Sequence, residues 1–206
     1  MAKPKDRPLL EATMQNAEAA FDLATDNEAV RAIPIIGTAF KVAKGIDDLR
    51  SRAFAAKLAN FVTAKELQTA KARDKLKNGI AESPEEAQKL GESLFLVLER
   101  MTDMEKPALL ARLFAGYLDD RITSIELRRL AQAVDSAFVD DLKILESWSD
   151  KKAYIGGLDL DEDKWRTNLL VTGLTGTLTN QLGQIENFIT ELGRCYRRAL
   201  GKERKS

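Results

Sequence analysis

Ser83-Pro84-Glu85-Glu86-Ala87-Gln88-Lys89-Leu90-Gly91-Glu92-Ser93-Leu94-Phe95-Leu96-Val97-Leu98-Glu99-Arg100-Met101 decides the class of this fold. A serine cap, a proline at the first helical position and two carboxylates at the positive end of the backbone dipole specify a helix start. Leu90, Leu94, Leu98 and Met101 then recur at helical intervals and draw one apolar stripe.

The same signals run outward in both directions. Thr63 with Glu66 and Thr123 with Glu126 match the capping box, in which each side chain satisfies the other residue's free backbone N–H. Asp103 is the expected cap of a further helix, with Pro107 tolerated near its first turn. Leu109, Leu110, Leu113, Phe114, Tyr117 and Leu118 keep the helical spacing. So do Ile125, Leu127, Leu130, Ala131, Val134 and Phe138, and then Leu142, Leu145 and Trp148. Breaks are expected near Pro34, Gly45, Gly79 and Arg121. The expected fold is mainly α: a multi-helix body over residues 1–150, then a small unit over 151–206.

That second unit has a different texture. Glycines and threonines cluster, and a short helix is expected over Glu162–Thr172, ended by Gly173. Two candidate strands follow, Leu174–Thr179 and Ile185–Ile189, joined by Asn180–Gln184. Thr190 is positioned to cap a last helix over Glu191–Leu200.

Composition excludes several chemistries. The 206 residues are 44% apolar and 31% charged, ordinary values for a globular chain. There is no histidine, which removes the commonest general base and zinc ligand. Cys195 is the only cysteine, so no intrachain disulfide or cysteine metal cluster forms. Residues 1–80 carry 14 basic against 10 acidic side chains, residues 81–163 carry 10 against 19, and residues 164–206 carry 8 against 3. The whole chain is neutral, and this mild blocking reads first as internal complementarity. Met1–Pro8 is basic but leads into no apolar signal core, and Ala32–Phe40 is too short to span a bilayer. The expected location is cytoplasmic.

Trp165-Arg166-Thr167-Asn168-Leu169-Leu170-Val171-Thr172-Gly173-Leu174, a polar loop, and Phe188-Ile189-Thr190-Glu191-Leu192-Gly193-Arg194 together resemble the end of a winged-helix domain. In that family a helix ends in Gly-Leu, a two-stranded wing follows and a Thr-x-x-Gly turn opens the closing helix. The resemblance covers about the last 50 residues. The whole chain also resembles small bacterial helical proteins with such an ending, which implies no particular activity. The winged-helix resemblance implies DNA binding, yet Asp159, Asp161, Glu162 and Asp163 crowd the start of the helix that would enter the groove, where they repel phosphate. Thr175–Asn187, the candidate wing, has no Lys or Arg and contains Glu186. Arg194, Arg197, Arg198 and Lys202 form the remaining candidate patch for nucleic acid or an acidic partner, and also fit a solvated helix end.

Other motifs stop short of a site. Asp159-Leu160-Asp161-Glu162-Asp163 begins like a calcium loop, but Lys164 and Leu170 stand at its sixth and twelfth positions. Asp119–Leu127 looks like the second half of such a loop, with Ala115 and Tyr117 at the early ligand positions. The pairs Asp47-Asp48, Glu85-Glu86 and Asp140-Asp141 diverge by about 100° on a helix, so they do not converge on a substrate. Cys195 lies beside Arg194 and Arg197 and reads as a packed thiol. Ala32–Gly45, with Ile35, Ile36, Phe40, Lys41 and Lys44, is a candidate membrane or partner segment when it is not core, continued by Phe54, Leu58, Phe61 and Val62.

The expectation is therefore a non-enzymatic protein–protein interaction or regulatory module, without cofactor or small-molecule substrate. A nucleic-acid-binding regulator acting through the C-terminal unit comes second. A membrane-active effector acting through residues 32–62 comes third.

Overall fold

A computed structural model describes residues 33, 49–148, 164–179, 181 and 185–203. The chain divides into two compact units, Met1–Ala111 and Arg112–Ser206. The expected boundary at residue 150 falls in 149–163, outside the described residues. The protein is mainly α with one small antiparallel hairpin near its end.

The first unit holds α1 (Leu49–Val62), a 3-10 turn (Lys65–Gln68), α2 (Ala70–Asn78), α3 (Pro84–Arg100) and the start of α4 (Lys106–Leu118). The decisive stretch behaves as read: the Ser83 hydroxyl accepts the N–H of Glu86, and Leu90, Leu94 and Leu98 are buried. Phe54 and Phe95 meet edge to face at 5.3 Å, pinning α1 to α3. The Lys57 ammonium is buried at the end of α3, where it donates to the carbonyls of Glu99 (2.7 Å) and Met101 (2.8 Å). It satisfies acceptors that a helix terminus leaves free and places a cation at the negative end of the dipole. The Asp103 carboxylate accepts the N–H of Glu105 at 2.8 Å in the turn that precedes α4, which begins at Lys106.

Thr63 is a correction. It caps no helix; its hydroxyl donates to Ala59 O at 2.6 Å and closes α1. After the single 3-10 turn, Thr69 is the residue that caps α2, accepting from Ala72 N.

The second unit holds the rest of α4, α5 (Ser124–Ser136), α6 (Val139–Ser147), α7 (Lys164–Asn168), a 3-10 turn (Leu169–Thr172), β1 (Thr175–Thr179), β2 (Ile185–Ile189) and α8 (Glu191–Ala199). Thr123 and Glu126 make the complete capping box of α5. Leu113, Phe114, Leu127, Leu130, Val134, Leu142, Leu145, Leu169, Leu174 and Tyr196 fill the core. Each such side chain contributes on the order of 1.5–3 kcal/mol by leaving water. Two members of the expected stripe are corrected. Phe138 lies past the end of α5, out of phase with it, and is 71% exposed; Ile125, in the first turn, is 54% exposed. Gly173, at φ 74°, supplies the left-handed exit that leads into the hairpin.

The closest approach in this unit is α4 against α8. A Cβ on Gly116 would lie 2.9 Å from Ala199 Cα and 3.0 Å from its carbonyl carbon, and closer still to its oxygen. Only glycine lets the two backbones cross at that spacing.

Candidate functional site

No Asp, Glu, Lys or Arg stands between Arg166 and Glu186, the longest uncharged run in a chain that is 31% charged. Its described residues form the end of α7, the 3-10 turn, β1 and the first residue of β2. The strands pair Thr175 with Ile189, Gly176 with Phe188, Thr177 with Asn187, Leu178 with Glu186, and Thr179 with Ile185. Because side chains alternate, Thr175 faces inward; it is buried, and its hydroxyl donates to Arg166 O at 2.6 Å. The opposite face carries Gly176, Leu178 and Phe188. Gly176 leaves room for the Phe188 ring, whose Cζ lies 2.7 Å from where a Cβ would stand. Leu178 is 45% and Phe188 42% exposed, and Val171, just before the hairpin, is 85% exposed. The described side chains of this face, Leu178 and Phe188, are thus apolar and partly exposed.

The expected basic patch separates into inward and outward members. Arg197 is buried. Arg198 folds back onto α5, with Nε donating to Arg121 O (3.2 Å), one terminal nitrogen to Glu126 (2.9 Å) and the other to Glu191 (3.4 Å). Arg194 and Lys202 remain at the surface, near Glu191 (3.7 Å) and Glu146 (3.7 Å) respectively. On α7, Arg166 is also buried; its guanidinium stacks 4.3 Å from the Trp148 ring and 5.2 Å from that of Trp165.

Two ionic clusters join elements of this unit. Arg112 grips Glu146 through two parallel bonds of 2.9 and 2.6 Å. That grip holds the Glu146 carboxyl below its ordinary range against the opposing effect of burial, with Lys202 adding to it. In the other cluster, burial pushes Glu126 up. The Thr123 N–H and hydroxyl, the Cys195 thiol and Arg198 outweigh it and keep the carboxyl low. Cys195 is buried, and burial together with Glu126 pushes its thiol up to about 12. The thiol is packed and protonated, so it is no nucleophile at neutral pH. The Tyr196 phenol is fully buried, and burial followed by Glu146 raises its pKa.

In the half-loop Asp119–Leu127, Glu126 turns to Thr123 and Arg198, and Asp119 pairs with Arg121 at 2.8 Å. Among the described residues no group of three or more Cys, Asp or Glu is arranged to hold a metal ion, and no helix is long and apolar enough to cross a membrane. Asp159–Asp163, Ile35, Ile36, Phe40, Lys41 and Lys44 lie outside the described residues.

Sequence reading missed the Arg112–Glu146 fork and the Trp148–Arg166–Trp165 stack. The fork joins residues 34 apart, beyond any local periodicity. Trp148, Trp165 and Arg166 stand in plain view in the sequence, but their convergence does not. Compared with protein-family models, curated proteins and solved structures, the chain matches none.

Proposed function

We propose that this chain is a non-enzymatic protein-binding module whose contact element is the C-terminal hairpin. One observation carries the reading: the hairpin, whose first strand lies within the longest uncharged run of the sequence, exposes Leu178 and Phe188, and Val171, shortly before it in the chain, is almost fully exposed. Exposed apolar side chains grouped on one element and rimmed by polar residues are characteristic of protein contact surfaces. The described ionic groups considered above support the same reading, since Arg198, Glu126, Arg112 and Glu146 are engaged in joining helices. The order of short helix, hairpin and closing helix is read as winged-helix-like, used here to present a wing to protein. A cytoplasmic setting is part of the proposal and agrees with a single buried thiol.

The test is affinity capture with the full chain from native lysate, with nuclease-treated and detergent-treated controls. A specific protein is retained through both treatments, and Leu178→Asp loses it while the circular dichroism spectrum stays unchanged. Loss of all retained material after nuclease treatment moves the function to nucleic acid. Loss with detergent, together with pelleting on anionic vesicles, moves it to the membrane. Capture unaffected by Leu178→Asp removes the hairpin from the account.

A further inference from the structure

We propose that Asn78-Gly79 is a site of spontaneous covalent modification, where the asparagine closes on the following amide, loses ammonia and opens mainly to isoaspartate. It is the only Asn-Gly pair in the chain.

The reaction makes three demands on the fold. The carboxamide must be accessible, the next backbone N–H must be free of a hydrogen bond, and the peptide between them must be able to swing toward the carboxamide carbon. Asn78 is the last residue of α2, and both it and Gly79 are exposed. At the ends of α3 and α5 the cap N–H is bonded back to Val97 O and Ala133 O. At the end of α2, among the described residues, neither the Gly79 N–H nor the Asn78 carboxamide has a hydrogen-bond partner. Gly79 stands at φ 105°, ψ 143°, and a Cβ built on it would meet nothing within 4 Å. Glycine takes this backbone at no steric cost, and it puts no side chain over the reacting nitrogen. By contrast, Asn60 and Asn168 are followed by Phe61 and Leu169, both buried.

In the first step the Gly79 nitrogen gives its proton to hydroxide and bonds to Asn78 Cγ. The Cγ–Nδ2 bond breaks, and the nitrogen leaves as ammonia after taking a proton from water. A five-membered succinimide then joins the two residues. Water opens this ring at either carbonyl. Opening at Cγ leaves aspartate at position 78; opening at the main-chain carbonyl routes the chain through Cβ and Cγ as isoaspartate. The net change is water consumed and ammonia released, with no oxidation or reduction.

The isoaspartyl link lengthens the backbone by one carbon directly ahead of Ile80, which is buried, and of Ser83, the cap of α3. It also leaves a carboxylate at the negative end of the α2 dipole, where a cation is favoured. Modification therefore loosens the anchored connection from α2 to α3.

The full chain is held in alkaline buffer, native or in guanidinium chloride, and then cut with trypsin. Cleavage after Lys77 and Lys89 frees residues 78–89. This peptide gains one mass unit and divides into two chromatographic species, with isoaspartate in excess. Its native rate stays within about tenfold of the denatured rate, because no hydrogen bond has to break first. Asn60 is slowed by folding at least about tenfold more, since the Phe61 N–H belongs to a helix that must open. Asn78→Gln abolishes the conversion, because glutamine closes a larger ring far more slowly. After equal treatment, wild type loses its circular dichroism at a lower denaturant concentration than Asn78→Gln. Native conversion about a hundredfold or more below the denatured rate means that the fold closes the site, and overturns the proposal. Equal unfolding midpoints after full conversion overturn its effect on Ile80.

Discussion

Replacing Gly116 by alanine sets two effects of opposite sign against each other. Alanine is the better helix former by about 1 kcal/mol. Its methyl, however, would stand 2.9 Å from Ala199 Cα and 3.0 Å from Ala199 carbonyl carbon, against a preferred carbon–carbon separation of about 3.5–4.0 Å. The obstructing atoms are backbone, so no rotamer change relieves the overlap; α4 and α8 must move apart by roughly 0.5–1 Å. Overpacking of this kind costs about 1–3 kcal/mol, and the shift also strains the Arg198 bonds to Arg121 O and Glu126. The crowding offsets the propensity gain, and the net loss after subtraction is up to about 2 kcal/mol. Urea unfolding followed by tryptophan fluorescence suits the measurement, because Trp148 and Trp165 both lie in Arg112–Ser206 and report on that unit. Adding Ala199→Gly does not rescue the variant, since the contact is with main-chain atoms. A Gly116→Ala protein more stable than wild type by the propensity term alone would refute the close crossing.

Further outcomes follow from the ionic clusters and the thiol. Glu126 and Glu146 have folded-state pKa values held below their unfolded ones, so their contribution is complete above the unfolded value of about 4.3 and is lost as pH falls through the folded values. Unfolding free energy is therefore flat with respect to these two groups from pH 7 to 5 and declines below about 4.3; Glu146→Gln makes the acid decline shallower. Arg112→Ala breaks two charge-assisted bonds to a half-buried carboxylate and, discounted for partial exposure, costs about 1.5–2 kcal/mol by the same fluorescence assay; no change would mean the fork is absent in solution. Native Cys195, with its thiol pushed up to about 12, reacts with a disulfide reagent at pH 8 roughly a thousandfold more slowly than in urea; equal rates would contradict its burial.

Local signals were legible in proportion to how local their physics is. Ser83, Thr123 and Thr190 cap the helices they announce, because a side chain bonding an N–H three residues on involves no distant partner. Thr63 shows the limit of that logic. Its spacing to Glu66 fits the box, yet its hydroxyl closes the preceding helix, and Thr69 supplies the cap six residues later. Periodicity placed Leu127, Leu130 and Val134 on the core face but carried Phe138 along with them; the phase is lost once the helix ends. In the hairpin, both strands and the closing helix were readable from turn and β-branched residues. The inward turn of Arg197 and Arg198 was not, because composition reports charge and leaves its direction to packing partners some 70 positions away.

Lys57 has an experimental use that follows from its burial at the end of α3. An amine fixed by two carbonyls is shielded from acylating reagents, so it acquires label only when Met1–Ala111 opens. Cys195 plays the matching part in Arg112–Ser206 with thiol reagents. The natural chain therefore carries a silent chemical reporter in each half, and mass spectrometry after dual labelling can time their opening separately, without an introduced dye or tag.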